Sequence, residues 1–143
     1  MVVTSAANIL GGEKVLHRPI RSQMDVIELI SKGIPKNALM HLVKYLGITT
    51  HQIAALLPVT ERTIQRYTPN QHFNSVVSEH ILQIAELAAK GAEVFDSKEQ
   101  FRLWLSLPNK ALGNKTPLSM MNTKRGSDMV MDILVRIEHG VYS

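Results

Sequence analysis

The sequence predicts an all-α fold, and three observations support this prediction. Apolar residues recur at helical spacing, as in Leu39, Leu42, Val43 and Leu46. Helix-capping residues precede several such segments, and glycine or proline follows them. No segment alternates apolar and polar residues in the way that a half-buried strand does. We therefore expect a helix-turn-helix N-terminal part followed by a small helical domain.

Two helices are predicted first along the chain, after a flexible lead-in over residues 1–24 with no firm pattern. Asp25 begins a segment with apolar positions that stops at Gly33. Pro35 suits the start of the next helix, which ends at Gly47.

Residues 49–67 predict two short helices joined by a tight turn. Thr49 and Gln52 have the spacing of a capping box, and Ile48 and Ile53 that of a hydrophobic staple. The staple recurs eleven residues later, around the N-cap candidate Thr60. With the small pair Ala54-Ala55, this pattern indicates a helix-turn-helix, which we place in a domain over residues 25–73.

Residues 74–143 predict four further helices. The first is long and is expected to end near Gly91, and a capping box over Ser97–Gln100 begins the second. Thr116-Pro117 starts a short third helix. The last helix has Gly140 at its C-cap, with an inner face made by four apolar residues: Val130, Ile133, Leu134 and Ile137.

Composition and charge narrow the class of protein. The chain has 143 residues, is 45% hydrophobic, and contains no cysteine, which excludes disulfides and thiolate chemistry. We expect a cytoplasmic protein with no signal peptide and no membrane segment. Residues 1–73 carry eight Lys or Arg and four Asp or Glu, whereas residues 74–143 carry eight of each. The whole excess of +4 thus lies in the first half, which indicates that a polyanion binds there.

The second short helix carries the candidate DNA-binding residues. Arginine and glutamine read guanine and adenine edges in the major groove, and a threonine at a helix N-terminus binds phosphate. The predicted DNA contacts are Thr60, Arg62, Thr63, Gln65 and Arg66. Since one short helix rarely binds DNA specifically, a dimer is expected.

A plain helical hairpin with a solvated outer face is the alternative. Pro58 stands where such a turn usually has a glycine with positive φ, which proline cannot adopt. The turn must therefore be built differently, and we expect DNA binding that is either weak or dependent on dimerisation.

The C-terminal half lacks any catalytic motif. It has no zinc-protease, P-loop or dinucleotide fingerprint, so an enzyme has almost no support and no cofactor or metal is expected. Asp128 and Asp132 lie on one helix face and could form a carboxylate pair. Because Arg136 stands four residues after Asp132, a solvated helix face is the better interpretation. Methionines concentrate here; we favour core packing for Met129 or Met131, and partner contact for one of Met120 and Met121.

Several segments, taken in order, resemble the antitoxins of the Xre/MbcA/ParS family. The matching segments are Arg62–Arg66, Ala92–Phe95, Trp104-Leu105, Pro108-Asn109, Ala111–Gly113, Thr116–Leu118, Gly126 and Arg136–Gly140. No single motif is diagnostic, but the series runs from about Leu39 to the C-terminus. Two departures are Asn114, where the family often has glycine, and Lys124-Arg125, near which an acidic residue is usual.

The resemblance implies a type II antitoxin whose domain over residues 74–143 binds a toxin. It is most similar to antitoxins of RES-domain toxins, a group similar to NAD-consuming enzymes. The chain would block the toxin's active site and, through operator DNA, repress its own operon. The expected toxin contacts are Asn109, Lys110, Leu112, Gly113, Asn114, Lys115, Lys124, Arg125, Val141, Tyr142 and Ser143. The alternative is a stand-alone regulator whose C-terminal part dimerises or senses a ligand.

Overall fold

The computed structural model describes residues 2–140, and over that range the fold is all-α, as predicted. The helices are α1 (Val2–Ile9), α2 (Gly12–Leu16), α3 (Gln23–Lys32), α4 (Lys36–Leu46), α5 (Thr50–Ala54), α6 (Glu61–Arg66), α7 (Ser75–Val94), α8 (Lys98–Ser106) and α9 (Lys124–Glu138). Two 3-10 helices, Lys110–Leu112 and Leu118–Asn122, lie between α8 and α9.

The long helix α7 is the centre of the molecule. It packs against α1, α3, α4, α8 and α9. Residues such as Ile81, Ala85 and Ala88 are fully buried, and one apolar cluster includes side chains from Ala6 to Leu134. The two predicted parts of the chain therefore share a single core, and the predicted boundary at residue 73 falls next to the start of this shared helix.

The N-terminal segment differs from the predicted flexible lead-in over residues 1–24, because α1 and α2 pack onto the core. Ala6, Ala7 and Leu10 are buried, and α1 lies along α7. Asn8, which interrupts the apolar run in the sequence, is exposed on the opposite side. The spacing of the three buried residues is helical, and two alanines let the backbones of α1 and α7 approach closely.

Helix α7 also continues past Gly91, where the sequence predicted its end. Gly91 is buried inside the helix because the ring of Phe101 lies directly on it, in the space that a Cβ atom would fill. Phe101 is 1% exposed and packs with Phe95 and Trp104, at ring-centroid distances of 5.8 and 6.4 Å. This glycine is therefore a packing position and not a helix stop.

The hydroxyl of Ser78 joins two segments that are distant in sequence. Its Oγ accepts the N–H of Ile34 at 2.8 Å and donates to the carbonyl of Phe73 at 3.3 Å. The N–H of Phe73 in turn donates to the carbonyl of Ile34 at 2.9 Å. Ser78 is fully buried, so these bonds are shielded from water and fix the segment after α6 against the start of α4.

Two side chains tie the C-terminal helices to the rest of the fold. Arg102 on α8 donates from Nε to the carbonyl of Tyr45 at 2.9 Å and from Nη2 to that of Lys44 at 3.0 Å, which caps the C-terminus of α4. Lys90 on α7 donates to Glu138 on α9 at 2.6 Å. The hydrogen bond to Glu138 raises the pKa of Lys90, so this ammonium stays protonated at neutral pH.

We expect Ser78→Ala to destabilise the protein by about 1–3 kcal/mol, because it leaves a buried backbone N–H without an acceptor. The free energy of unfolding, measured by urea denaturation, checks this. Ser75→Ala is a suitable control, since Ser75 is exposed in the first turn of the same helix. Equal stability of the two variants would contradict the role given to the Ser78 hydroxyl.

Gly91→Ala should cost about 1–3 kcal/mol, because the added methyl group overlaps the buried ring of Phe101. At an unconstrained helix position the same substitution would stabilise the protein. The neighbouring change Ala92→Ser, on the exposed side, is expected to alter stability by less than about 0.5 kcal/mol. Thermal and urea unfolding of both variants test the packing at Gly91.

Candidate functional site

The tandem helices α5 and α6 begin at the caps that the sequence predicts. Thr49 and Gln52 form a complete capping box, with N–H to oxygen distances of 2.9 and 3.0 Å. At α6, the Oγ1 of Thr60 accepts the N–H of Thr63 at 3.1 Å and donates to the Thr63 hydroxyl at 2.9 Å. These bonds fix where α6 starts and therefore which of its residues face outward.

The turn between α5 and α6 contains no residue with positive φ. Instead the backbone tightens after α5: Leu56 donates to the carbonyl of Ile53 at 2.9 Å, and Leu57 donates to that of Ala54 at 3.2 Å. Both leucines are buried, and Pro58 is exposed. The turn is thus built differently from a glycine turn, as Pro58 requires.

The outer face of α6 presents three of the five predicted DNA-binding residues as exposed side chains: Arg62, Gln65 and Arg66. Neither arginine forms an ion pair with any residue in 2–140. Gln65 donates to Glu61 at 3.4 Å, and His51 lies 3.0 Å from the same carboxylate. Of the two remaining predicted residues, Thr60 is the exposed N-cap of α6, and Thr63 is partly buried in its first turn.

The C-terminal end of α6 is held from the core side. Lys36 on α4 donates from Nζ to the carbonyl of Tyr67 at 2.9 Å, which places a positive charge at the negative end of the helix. The Tyr67 ring stacks on Phe73 at 4.9 Å, and Ile64 is fully buried. Helix α6 is therefore anchored at both ends and along its inner face, which gives its outer side chains a fixed base.

The predicted contact loop over residues 109–115 is closed by its own hydrogen bonds. The N–H of Asn109 donates to the carbonyl of Lys115 at 3.0 Å, and its side chain accepts the N–H of Ala111 at 2.9 Å. Gly113 and Asn114 both have positive φ, at 65° and 66°. Asparagine tolerates this conformation, which explains how it replaces the glycine that the family often has here.

The other predicted contact residues divide into three groups. Lys110, Gly113, Asn114, Lys115, Lys124 and Arg125 are exposed, and Asn109 is partly buried. Leu112 differs from the prediction, because its side chain is 4% exposed and packs in the core beneath the loop. Val141, Tyr142 and Ser143 lie outside the described residues.

Three apolar side chains that the sequence did not single out as surface residues are exposed. Leu103 on the outer side of α8 is 59% exposed, Leu107, which directly follows α8 in an extended conformation, is 49% exposed, and Met129 on α9 is 42% exposed. Leu103 lies two residues from both Phe101 and Leu105, so helical geometry places it opposite the core. That spacing was visible in the sequence. Of the methionine pairs, Met129 is exposed, Met131 and Met120 are partly buried, and Met121 is buried.

Most Lys and Arg side chains after residue 97 form no ion pair with a residue in 2–140: Lys98, Arg102, Lys110, Lys115, Arg125 and Arg136. Lys124 and Asp128 form a salt bridge of 3.1 Å, where the sequence had favoured a pair between Asp132 and Arg136. Within residues 2–140, no three His, Asp or Glu side chains are grouped closely enough to hold a metal. No helix in that range is long and apolar enough to cross a membrane.

The architecture defines a helix-turn-helix protein with an appended helical binding domain, and comparison with known families agrees. Residues 25–86 match the antitoxin Xre-like helix-turn-helix domain, and residues 90–140 match the antitoxin Xre/MbcA/ParS C-terminal toxin-binding domain. Together the two matches cover most of the chain in the order that the resemblance predicted. The chain therefore belongs to the Xre/MbcA/ParS family of antitoxins.

Individual relatives are similar along most of their length. The chain is 26% identical over 120 residues to "Antitoxin Xre" of Yersinia enterocolitica, which covers 82% of this chain and 81% of that protein. It is 26% identical over 140 residues to "Prs ADP-ribosylating antitoxin" of Sphingobium, covering 91% and 87%. Its fold is similar to that of a chain from the M. tuberculosis MbcT-MbcA toxin-antitoxin complex, with a TM-score of 0.58 and 18% identity. The match covers 76% of this chain and 96% of that chain.

Proposed function

We propose that this protein neutralises a toxin by covering the entrance to the toxin's active site with its C-terminal domain, and represses its own operon through α6. The observation that carries the first part is the exposed apolar surface formed by Leu103 and Leu107 on the domain that matches the family's toxin-binding domain. Leu103 lies on α8, and Leu107 is the residue that directly follows this helix.

The apolar residues and the polar loop have complementary roles in this proposal. Leu103 and Leu107 are large side chains whose burial against a partner stabilises a complex by about 1.5–3 kcal/mol each. The loop over residues 109–115 follows α8 directly and is fixed by backbone hydrogen bonds, so little entropy is lost when a partner contacts it. Met129 lines a small depression of about 110 Å³ with Ala111, beside the same loop.

The proposed toxin is a RES-domain enzyme that consumes NAD. This choice rests on the resemblance of the C-terminal segments to antitoxins of that toxin class. The similarity to an antitoxin named for ADP-ribosylation is compatible with it, since NAD is the donor of ADP-ribose. The contact residues within the toxin's cleft are proposed to come from the loop, from Lys124 and Arg125, and from the tail over 141–143.

The proposed DNA contact uses the outer face of α6 in the major groove. Arg62 and Arg66 are exposed and unpaired in the described part of the chain, so no intramolecular ion pair must be broken when they meet DNA. Gln65 lies between them on the sequence and supplies an adenine-reading amide. A homodimer would place two such helices on a two-fold operator, about one helical turn apart.

A stand-alone transcriptional regulator is the second candidate, and the same helix-turn-helix supports it. In that case Leu103 and Leu107 would contact a second copy of the chain. The product of the adjacent reading frame distinguishes the two: co-purification with this protein supports the antitoxin. Elution of the protein alone, with no toxic neighbour, supports the regulator.

Leu103→Asp/Leu107→Asp is expected to weaken toxin binding at least about 100-fold, because two carboxylates would be buried against the partner without counter-charges. The measurement is the dissociation constant of the complex with the neighbouring gene's product, together with growth rescue on co-expression. Met24→Asp/Ile27→Asp is the matched control, since these residues on α3 are 64% and 55% exposed. If the α8 variant still rescues growth, toxin contact does not involve this surface.

Arg62→Ala and Arg66→Ala should each weaken binding to the promoter region of the gene by about 1–3 kcal/mol if they read bases. The affinity of each variant for unrelated duplex DNA should fall less than its affinity for the promoter, because only promoter binding loses base contacts along with the charge. Electrophoretic mobility shift with promoter and scrambled duplexes measures both. Lys32→Ala removes an exposed charge on α3 and serves as the control. If it weakens promoter binding as much as the α6 variants do, α6 is not the DNA-binding surface.

A further inference from the structure

A cleft of about 420 Å³ lies between α1, α4 and α8, and no residue of α6 lines it. Its size is within the range of small-molecule sites, about 300–1,000 Å³. Neither the DNA-binding proposal nor the toxin-binding proposal uses this cleft. It is formed only because α1 folds onto the core beside α4 and because α8 packs against the end of α4.

The lining of the cleft is strongly basic. It includes Lys44 on α4 and Lys98 and Arg102 on α8, and no aspartate or glutamate. Lys44 and Lys98 form no ion pair with any residue that the structure describes. Three cations that line one cleft without an acidic residue among them attract an anion to it.

Two of these cations are held in position within the fold. The guanidinium of Arg102 is fixed by its bonds to the carbonyls of Lys44 and Tyr45, whereas its Nη1 has no hydrogen-bond partner in residues 2–140. The ammonium of Lys98 lies over the ring of Tyr45, 5.6 Å from its centroid. A preorganised guanidinium with free donors is the group that recognises phosphate most effectively.

The remaining lining is suited to a ligand that is more than a bare anion. Ile9 and the ring of Tyr45 supply an apolar wall, and Asn8 supplies an amide. Burial raises the pKa of Tyr45, so its hydroxyl remains protonated and available as a hydrogen-bond donor. An apolar wall beside a basic cluster matches a molecule with a flat ring at one end and phosphate at the other.

We propose that this cleft is a binding site for a small phosphorylated molecule of nucleotide type, with Lys44, Lys98 and Arg102 on the phosphate and Tyr45 and Ile9 against the ring. The site is separate from the proposed toxin and DNA contacts. The apolar wall favours a small ligand with a ring over the backbone of a duplex.

Isothermal titration of the full chain with ADP, inorganic phosphate and adenosine tests the proposal. ADP is expected to bind saturably, and phosphate and adenosine each at least about tenfold more weakly, because each fills only one part of the cleft. Lys44→Ala/Lys98→Ala should weaken ADP binding at least about tenfold. Both lysines are exposed, and a circular dichroism melt would verify that the variant is folded.

Lys14→Ala/Lys32→Ala removes the same net charge from exposed positions on α2 and α3 and is expected to leave ADP binding unchanged. An equal loss of ADP affinity in this control would overturn the proposal, since ADP would then be attracted by the positive charge of the whole protein. Absence of saturable ADP binding would also overturn it. So would a cleft variant that loses affinity for duplex DNA while its affinity for ADP is unaltered, because the lysines would then be backbone contacts.

Discussion

The hydroxyl of Ser78 is the interaction on which the arrangement of the N-terminal half depends. It is a fully buried polar group that satisfies the N–H of Ile34 and the carbonyl of Phe73, where the chain entering α4 crosses the chain leaving α6. Apolar packing alone would leave those two backbone groups unpaired, at considerable cost. Because the hydroxyl bonds to both segments, it fixes the register in which they meet. That register positions Tyr67 on Phe73 and therefore the C-terminal end of α6.

The long helix α7 joins the two halves of the chain, because helices from both halves pack against it. Helices α1, α3 and α4 from the N-terminal half and α8 and α9 from the C-terminal half all pack against it. Arg102 and Lys90 add polar links between helices at opposite ends of the sequence. The two family domains are thus a single packed body and not two modules on a linker. A partner that binds to α8 would contact the helix whose Arg102 caps α4, so the two proposed binding surfaces share structural support.

Two groups of cations on the surface have no acidic partner in the described part of the chain. They are Arg62 and Arg66 on α6, and Lys44 and Lys98 in the α1–α4–α8 cleft. Lys90 and Lys124, in contrast, form salt bridges with carboxylates, and Leu103, Leu107 and Met129 are exposed apolar side chains of the C-terminal part. Polyanions and phosphates are attracted to unpaired cations, whereas a folded protein partner is stabilised mainly by apolar burial.

Local patterns in the sequence were enough to predict the helical class and the starts of α5, α6 and α8, because caps and staples act between residues three to five apart. The series of matching segments predicted the family. The sequence also identified α6 as the helix with exposed arginines. The tertiary structure decided that α1 and α2 are part of the core, that Gly91 lies inside α7, that Leu112 is buried and that Leu103 and Met129 are exposed. These properties depend on elements distant in the chain: Phe101 on Gly91, and α7 against α1. Burial is set by which surfaces meet, and local sequence patterns do not specify those partners.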